Sequence, residues 1–342
     1  MLLDLYKRQL IRTSWKGCHS KPFPAKNGIR QGGIASPILF CCYLDKLIEK
    51  LKSNGTGCWI GDRFLGSLAY ADDLTILSPN AKGLQEQLEI CERYGEEYGM
   101  TYNPVKSKCV FFSKKKKSPP NVTLRGTALQ WTDNIKHLGN VLVWNLSEAK
   151  DVQMKRGELA GKTNSIIGNL NNLSREILIT VFRSKCCHYY GCQTWLLSQA
   201  VKDYNTMWNR CVRRVLNLPT TTHCKFLPHL TGTVYPSDQI SQVFFKMIKT
   251  MYLSENDTVR FIASRGLLDK RTLIGSNLDF IKSSYGIHVA VENILSVPTL
   301  RTFSYSNNEL STITAVRDLM NNNVEFFTKL EMNSLLNLLC TT

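Results

Sequence analysis

The sequence has no Cys-x-x-Cys pair, although it holds 12 cysteines in 342 residues. That absence argues against a zinc ribbon and against a disulfide framework. Cys41, Cys42 and Cys91 fall in apolar helical stretches and read as small buried hydrophobes in a reducing compartment. The cluster Cys186, Cys187, His188 and Cys192 matches no zinc spacing, and His223-Cys224 stands alone far downstream. Long apolar runs are missing too. The longest, residues 38–44, is far short of the ~18 residues that cross a bilayer. The opening Met1-Leu2-Leu3-Asp4 lacks a basic region followed by an apolar run, so no signal peptide is read. An intracellular protein, nuclear or cytoplasmic and without a membrane partner, is the expectation. No internal repeat is found.

Acidic charge is scarce: 27 Asp and Glu stand against 43 Lys and Arg, a net charge of +16. Residues 1–145 carry 21 basic and 12 acidic side chains (+9), and residues 146–342 carry 22 and 15 (+7). The excess is spread along the chain, as a polyanion track requires, because each neutralised phosphate releases counterions. Apolar residues make up 43%, enough for a hydrophobic core and too many for wholesale disorder. The length suits two packed units or one unit with a large appendage.

Gly28-Ile29-Arg30-Gln31-Gly32-Gly33 reads as a loop. Ser36 as N-cap and Pro37 at the first helical position start a helix to about residue 52. Two short apolar runs, 64–70 and 74–77, flank Ala71-Asp72-Asp73 and predict a hairpin with its acidic residues at the turn. A second helix is expected over 81–98, stopped by Gly99. A strand over 108–113 follows, then the Lys114-to-Lys117 run as a solvated loop. Segments 127–131 and 135–144 read as a hairpin turning near Asp133-Asn134. Beyond residue 146 the pattern is helical almost throughout: one helix capped by Ser174 and ending near Tyr190, others near 201–216, 238–253 and 310–320. The fold class is therefore α+β: an antiparallel sheet with packed helices over 1–145, then a mostly helical region over 146–342.

Adjacent carboxylates are costly to pack unless a cation lies between them. Asp also favours turns, so Asp72-Asp73 alone reads first as an ordinary turn. Held at the tip of an apolar hairpin, however, the pair offers hard oxygen ligands to a divalent ion. Two such ions can activate an attacking hydroxyl and stabilise a departing pyrophosphate.

The arrangement resembles the reverse transcriptases of non-LTR (LINE-type) retrotransposons. Four blocks stand in that family's order. They are Gly28-Ile29-Arg30-Gln31-Gly32 with Ser36-Pro37-Ile38-Leu39-Phe40; Leu68-Ala69-Tyr70-Ala71-Asp72-Asp73; Gly99-Met100 with Asn103, Lys106 and Ser107; and Lys136-His137-Leu138-Gly139. Later segments, Gly191-Cys192-Gln193-Thr194-Trp195 and Arg213-Arg214-Val215-Leu216, are similar to the thumb side of such elements.

The resemblance implies a partial polymerase palm over 1–145 and a thumb-like region over 146–342. It implies RNA-directed DNA polymerisation with magnesium or manganese, an RNA template, a DNA primer and deoxynucleotides. Asp72 and Asp73 would be the metal ligands, and Lys106 would assist the pyrophosphate. Arg30, Gln31, Gly32 and Tyr70 would line the nucleotide and primer terminus, and Leu138 and Gly139 would form the primer grip. The family's site also uses an aspartate from a strand well upstream of the Gly-rich loop. Asp4, only 26 residues before Arg30, is too close to be it. An N-terminally truncated reverse transcriptase, without that strand, the fingers or an endonuclease, and inactive alone, is therefore expected. The alternative is a transposon-derived protein that binds RNA or DNA without chemistry.

Overall fold

The structure is a computed structural model describing residues 9–25, 28, 32–115, 119–170, 172–287, 300–301, 305–307, 309–311 and 313–314. The chain divides into two compact units, Met1–Asp133 and Asn134–Thr342. It is an α+β protein, with seven two-stranded sheets among the described residues and helices concentrated in the second unit. None of the described helices is long and apolar enough to cross a membrane.

In the first unit two helices, α1 (Ser36–Ser53) and α2 (Ala81–Tyr98), pack on each other. Leu44, Leu47 and Leu51 of α1 meet Ile90, Cys91 and Tyr94 of α2 in one buried cluster. Their spacing of three and four residues is what one helix face allows. Cys91 is buried as expected, but Cys41 and Cys42 are exposed: they fall outside the face defined by Leu44, Leu47 and Leu51. Ser36 is not the cap of α1. It is the first helical residue, buried, and the cap position belongs to Ala35 without a side-chain hydrogen bond. Helix α2 keeps its expected bounds and is closed by Gly99 at φ +64, and the structure adds an N-cap that was not read, the Asn80 side chain accepting from Gly83 N at 2.8 Å. Capping of this kind is worth about 1 kcal/mol.

The strand pairing between residues 108 and 143 differs from expectation. Thr127–Ala128 pairs with Thr123–Leu124, and Gln130–Trp131 pairs in parallel with Lys108–Cys109, the only part of the expected 108–113 strand that joins a ladder. The second hairpin is local, Asn134–His137 with Asn140–Val143, and turns at Leu138-Gly139 rather than at Asp133-Asn134. Both turn residues have positive φ, +45 and +80, as a two-residue loop matched to strand twist prefers. Packing explains the first change: Val122, Leu124 and Leu129 are buried with Leu88 of α2, so this segment folds onto the helix.

The second unit holds α3 (Ala149–Leu170), α4 (Arg175–Cys186), α5 (Leu197–Leu216), α6 (Leu227–Thr231), α7 (Pro236–Tyr252), α8 (Asp257–Leu268) and α9 (Leu273–Tyr285). Helix α5 is central. Leu197, Tyr204, Trp208, Val212 and Val215 are buried with Phe182 of α4 and Phe244 of α7. Burying each such side chain contributes roughly 1.5–3 kcal/mol. Trp195 and Trp208 are core residues, and Trp131 is half-buried. Ser174 caps α4 as expected, but the helix stops at Cys186 rather than near Tyr190. The chain leaves it so that Tyr189 can bury edge-on against Tyr204 and Gly191 can turn at φ +80. Of the expected 310–320 helix, only part of 310–314 is described.

Candidate functional site

The 67–76 hairpin pairs Ser67 with Ile76, Leu68 with Thr75, Ala69 with Leu74 and Tyr70 with Asp73. Its loop is therefore two residues, Ala71-Asp72. Side chains alternate across a strand, so Leu74 and Ile76 pack into the α1/α2 cluster while Tyr70 and Asp73 point to the opposite face. Ala71, Asp72 and Asp73 are all exposed, and Tyr70 is 66% exposed. Ala71 adopts φ +51, which costs a residue with a Cβ roughly 1–2 kcal/mol. Backbone strain at an exposed acidic tip is what functional loops retain.

A lone two-stranded hairpin is marginal in water. This one is fixed at its base. Leu77 N donates to the Gly66 carbonyl at 2.8 Å, Cys58 N donates to the Leu77 carbonyl at 3.0 Å, and the buried Gln87 of α2 donates Nε2 to the Gly66 carbonyl at 3.3 Å. A Cβ on Gly66 would lie 2.4 Å from the Phe64 ring, so glycine is needed where hairpin, ring and Gln87 converge.

Lys106 is exposed and follows the same packing. Tyr102 packs in the cluster that holds Leu74 and Ile76, and Asn103 then caps a turn by accepting from Val105 N at 3.0 Å and Lys106 N at 3.2 Å. Gly32 is exposed at φ +78, a backbone state that favours glycine. Arg30 and Gln31 lie outside the described residues. The structure thus brings Tyr70, Asp72 and Asp73 together on one hairpin, with Lys106 on a turn of the same unit. Leu138 and Gly139 belong to the second unit.

A family model described as Reverse transcriptase (RNA-dependent DNA polymerase) matches residues 3–142. Residues 3–142 belong to the reverse transcriptase family. The curated relatives that the chain matches are polyproteins and polymerases of non-LTR elements. The chain is 40% identical over 83 residues to the Pol polyprotein of retrotransposable element R2 of Nasonia vitripennis, covering 24% of this chain and 8% of that protein. It is 23% identical over 206 residues to the corresponding R1 polyprotein of Bradysia coprophila, covering 55% and 19%. To the RNA-directed DNA polymerase of mobile element jockey of Drosophila melanogaster it is 19% identical over 287 residues, covering 80% and 31%. The chain therefore spans less than a third of the length of each of these relatives.

Sequence reasoning missed a cluster around the Leu138-Gly139 end of the reverse-transcriptase match. Asp151, in the first turn of α3 and 3% exposed, accepts from Val141 N at 2.8 Å and from Trp195 Nε1 at 2.7 Å. Glu148 accepts from Leu196 N at 2.8 Å, and buried Asn277 bonds both the Trp195 carbonyl and Leu197 N. The 134–143 hairpin is thereby tied to the 191–195 segment and, through it, to α9. An acidic residue in a first helical turn reads in sequence as a surface complement to the helix dipole, which is why Asp151 carried no signal.

Proposed function

We propose that the reverse-transcriptase domain is built for RNA-directed DNA synthesis, with Asp72 and Asp73 as ligands of magnesium or manganese. The observation that carries this reading is the Ala71-Asp72 loop: two exposed adjacent carboxylates on a strained, base-pinned hairpin inside the family match. The donor set fits the ion, because magnesium takes hard oxygen ligands and uses one or two carboxylates completed by substrate phosphates and water. When bound, the ions would lower the barrier to attack of a primer hydroxyl on a nucleotide phosphate.

This chain's own residues then have distinct tasks. Tyr70, across from Asp73, borders the primer terminus. Arg30, Gln31 and Gly32 approach the nucleotide, and Lys106 meets the developing charge of the pyrophosphate. Leu138 and Gly139 support the primer end. The strained φ of Leu138 in an exposed turn supports that last role. RNA template, DNA primer and deoxynucleotides are the proposed partners.

The 342 residues by themselves are proposed not to polymerise. Among the described residues no cluster of three potential metal-ligating side chains forms, and the pair Asp72 and Asp73 has no third described carboxylate grouped with it. Primer extension on a primed RNA template with magnesium or manganese tests this, and the expected result is no incorporation. Incorporation lost in Asp72→Asn would overturn the inactivity and establish the polymerase. Manganese binding followed by paramagnetic resonance tests the ligand assignment: it should be lost in the Asp72→Asn/Asp73→Asn double variant, and unchanged binding would refute it. The reading as a non-catalytic binder draws on the spread of positive charge over both halves. RNA affinity indifferent to both magnesium and Asp72→Ala would favour it.

A further inference from the structure

Beside the Leu138-Gly139 turn stands the exposed ring of Tyr190. Tyr189 and Tyr190 are adjacent, yet Tyr189 is buried against Tyr204 while Tyr190 is 66% exposed. The buried neighbour fixes the backbone from which Tyr190 projects. Gly191, at φ +80, fixes it from the other side: a Cβ there would lie 1.9 Å from Asn140 Oδ1, so the turn at 191 and the hairpin at 140 are in direct contact. The Tyr190 ring lies close against Gly139, where an added Cβ would meet Cε1 at 3.3 Å. Lys155, half-buried on α3, completes the group, with Nζ 3.4 Å from the Gly139 carbonyl and 6.0 Å from the Tyr190 ring centroid.

An exposed ring held by a buried neighbour, a glycine contact and an ammonium is more than a surface tyrosine. Leaving most of a large ring in water gains nothing from burial. Such a ring offers a face on which a base stacks, and an adjacent cation offers a phosphate contact, the pairing that single-strand and terminus binding uses. The chain's charge of +16 complements the same ligand.

We propose that Tyr190 and Lys155 extend the Leu138-Gly139 turn into a binding site for the primer strand, Tyr190 stacking on a base or sugar and Lys155 meeting a phosphate. The site rests on the polymerase-type reading of the 134–143 hairpin and adds residues that the reading leaves out. Asp151 is a positioning residue: it ties the hairpin at Val141 to Trp195, next to the turn at 191.

The test uses the full chain and a fluorescein-labelled DNA primer annealed to an RNA template, followed by anisotropy across a salt series. Tyr190→Ala should weaken binding roughly 5- to 150-fold at every salt concentration, with the salt slope unchanged. Tyr190→Phe keeps the ring and should bind as wild type. Tyr190→Leu keeps apolar bulk over Gly139 without a π face, and should fold with wild-type circular dichroism yet bind as weakly as Tyr190→Ala. Lys155→Gln should lower the slope by about one. Wild-type affinity in Tyr190→Leu or Tyr190→Ala would overturn the stacking site while leaving the polymerase reading intact. No primer–template binding by the wild-type chain would overturn both.

Discussion

Asp151→Asn is a nearly isosteric change that separates a two-acceptor carboxylate from a generic buried polar residue. Both Asp151 oxygens accept, Oδ1 from Val141 N and Oδ2 from Trp195 Nε1. Asparagine has one acceptor oxygen, so in either orientation its NH2 group faces one of those donors. Losing a hydrogen bond to a charged group costs about 1.5–3 kcal/mol, and the surviving bond weakens to a neutral one. Relief of carboxylate desolvation offsets part of this. The net expectation is about 2–4 kcal/mol for Asn, and about 3–5 kcal/mol for Ala, which leaves two buried donors without partners. For a unit of this size each kcal/mol moves the melting midpoint by about 2–4 °C. Thermal unfolding followed by far-ultraviolet circular dichroism should then show the helical transition of Asp151→Asn lowered by roughly 4–16 °C. Amide exchange should accelerate at Val141, whose N–H loses its acceptor or sees it weakened. A midpoint equal to wild type, with unchanged exchange at Val141, would refute the clamp and the rigidity it lends the Leu138-Gly139 turn.

Two further outcomes follow from other parts of the chain. Lys225 and the Ser306 backbone and hydroxyl hold the Glu309 carboxyl down to about 2 from its ordinary 4.5. A depressed carboxylate contributes stability above its unfolded pKa and loses it as pH falls through the folded one. Contacts around residues 305–309 should therefore weaken between about pH 4.5 and pH 2, seen as faster amide exchange at Ser306. Glu309→Gln should remove that dependence, and an acid limb that persists in the variant would assign it elsewhere. Burial pushes the Cys91 and Cys192 thiols up to about 12, the Cys192 shift being opposed by nearby Lys155. Iodoacetamide at neutral pH should alkylate exposed Cys18, Cys41 and Cys42 in the native protein and spare Cys91 and Cys192 until denaturant is added. Peptide mass mapping reads this directly, and early modification of Cys91 would contradict its packing.

The parts of the fold that were legible are those governed by near neighbours along the chain. Helix α2 follows from the apolar spacing of Leu84, Leu88 and Cys91 and from Gly99. The 67–76 hairpin follows from two apolar runs around two acidic residues. Ser36 misled because a capping residue type can equally begin a helix when packing buries it. The 108–143 strands misled because each is too short for alternation to fix its partner. Val122, Leu124 and Leu129 chose Leu88 of helix α2, 34–41 residues away in sequence.

By itself the sequence determined the Asp72-Asp73 hairpin, the order of the four blocks and the basic excess, since composition, motif spacing and short-range pairing are properties of the chain before it folds. Only the tertiary structure decided that Asp151 is a buried double acceptor rather than a surface acid. It also decided that Tyr189 turns inward while Tyr190 stays in water, and that Gly191 touches Asn140. Those outcomes depend on which distant donors and rings converge on one point, and linear spacing carries no record of that convergence.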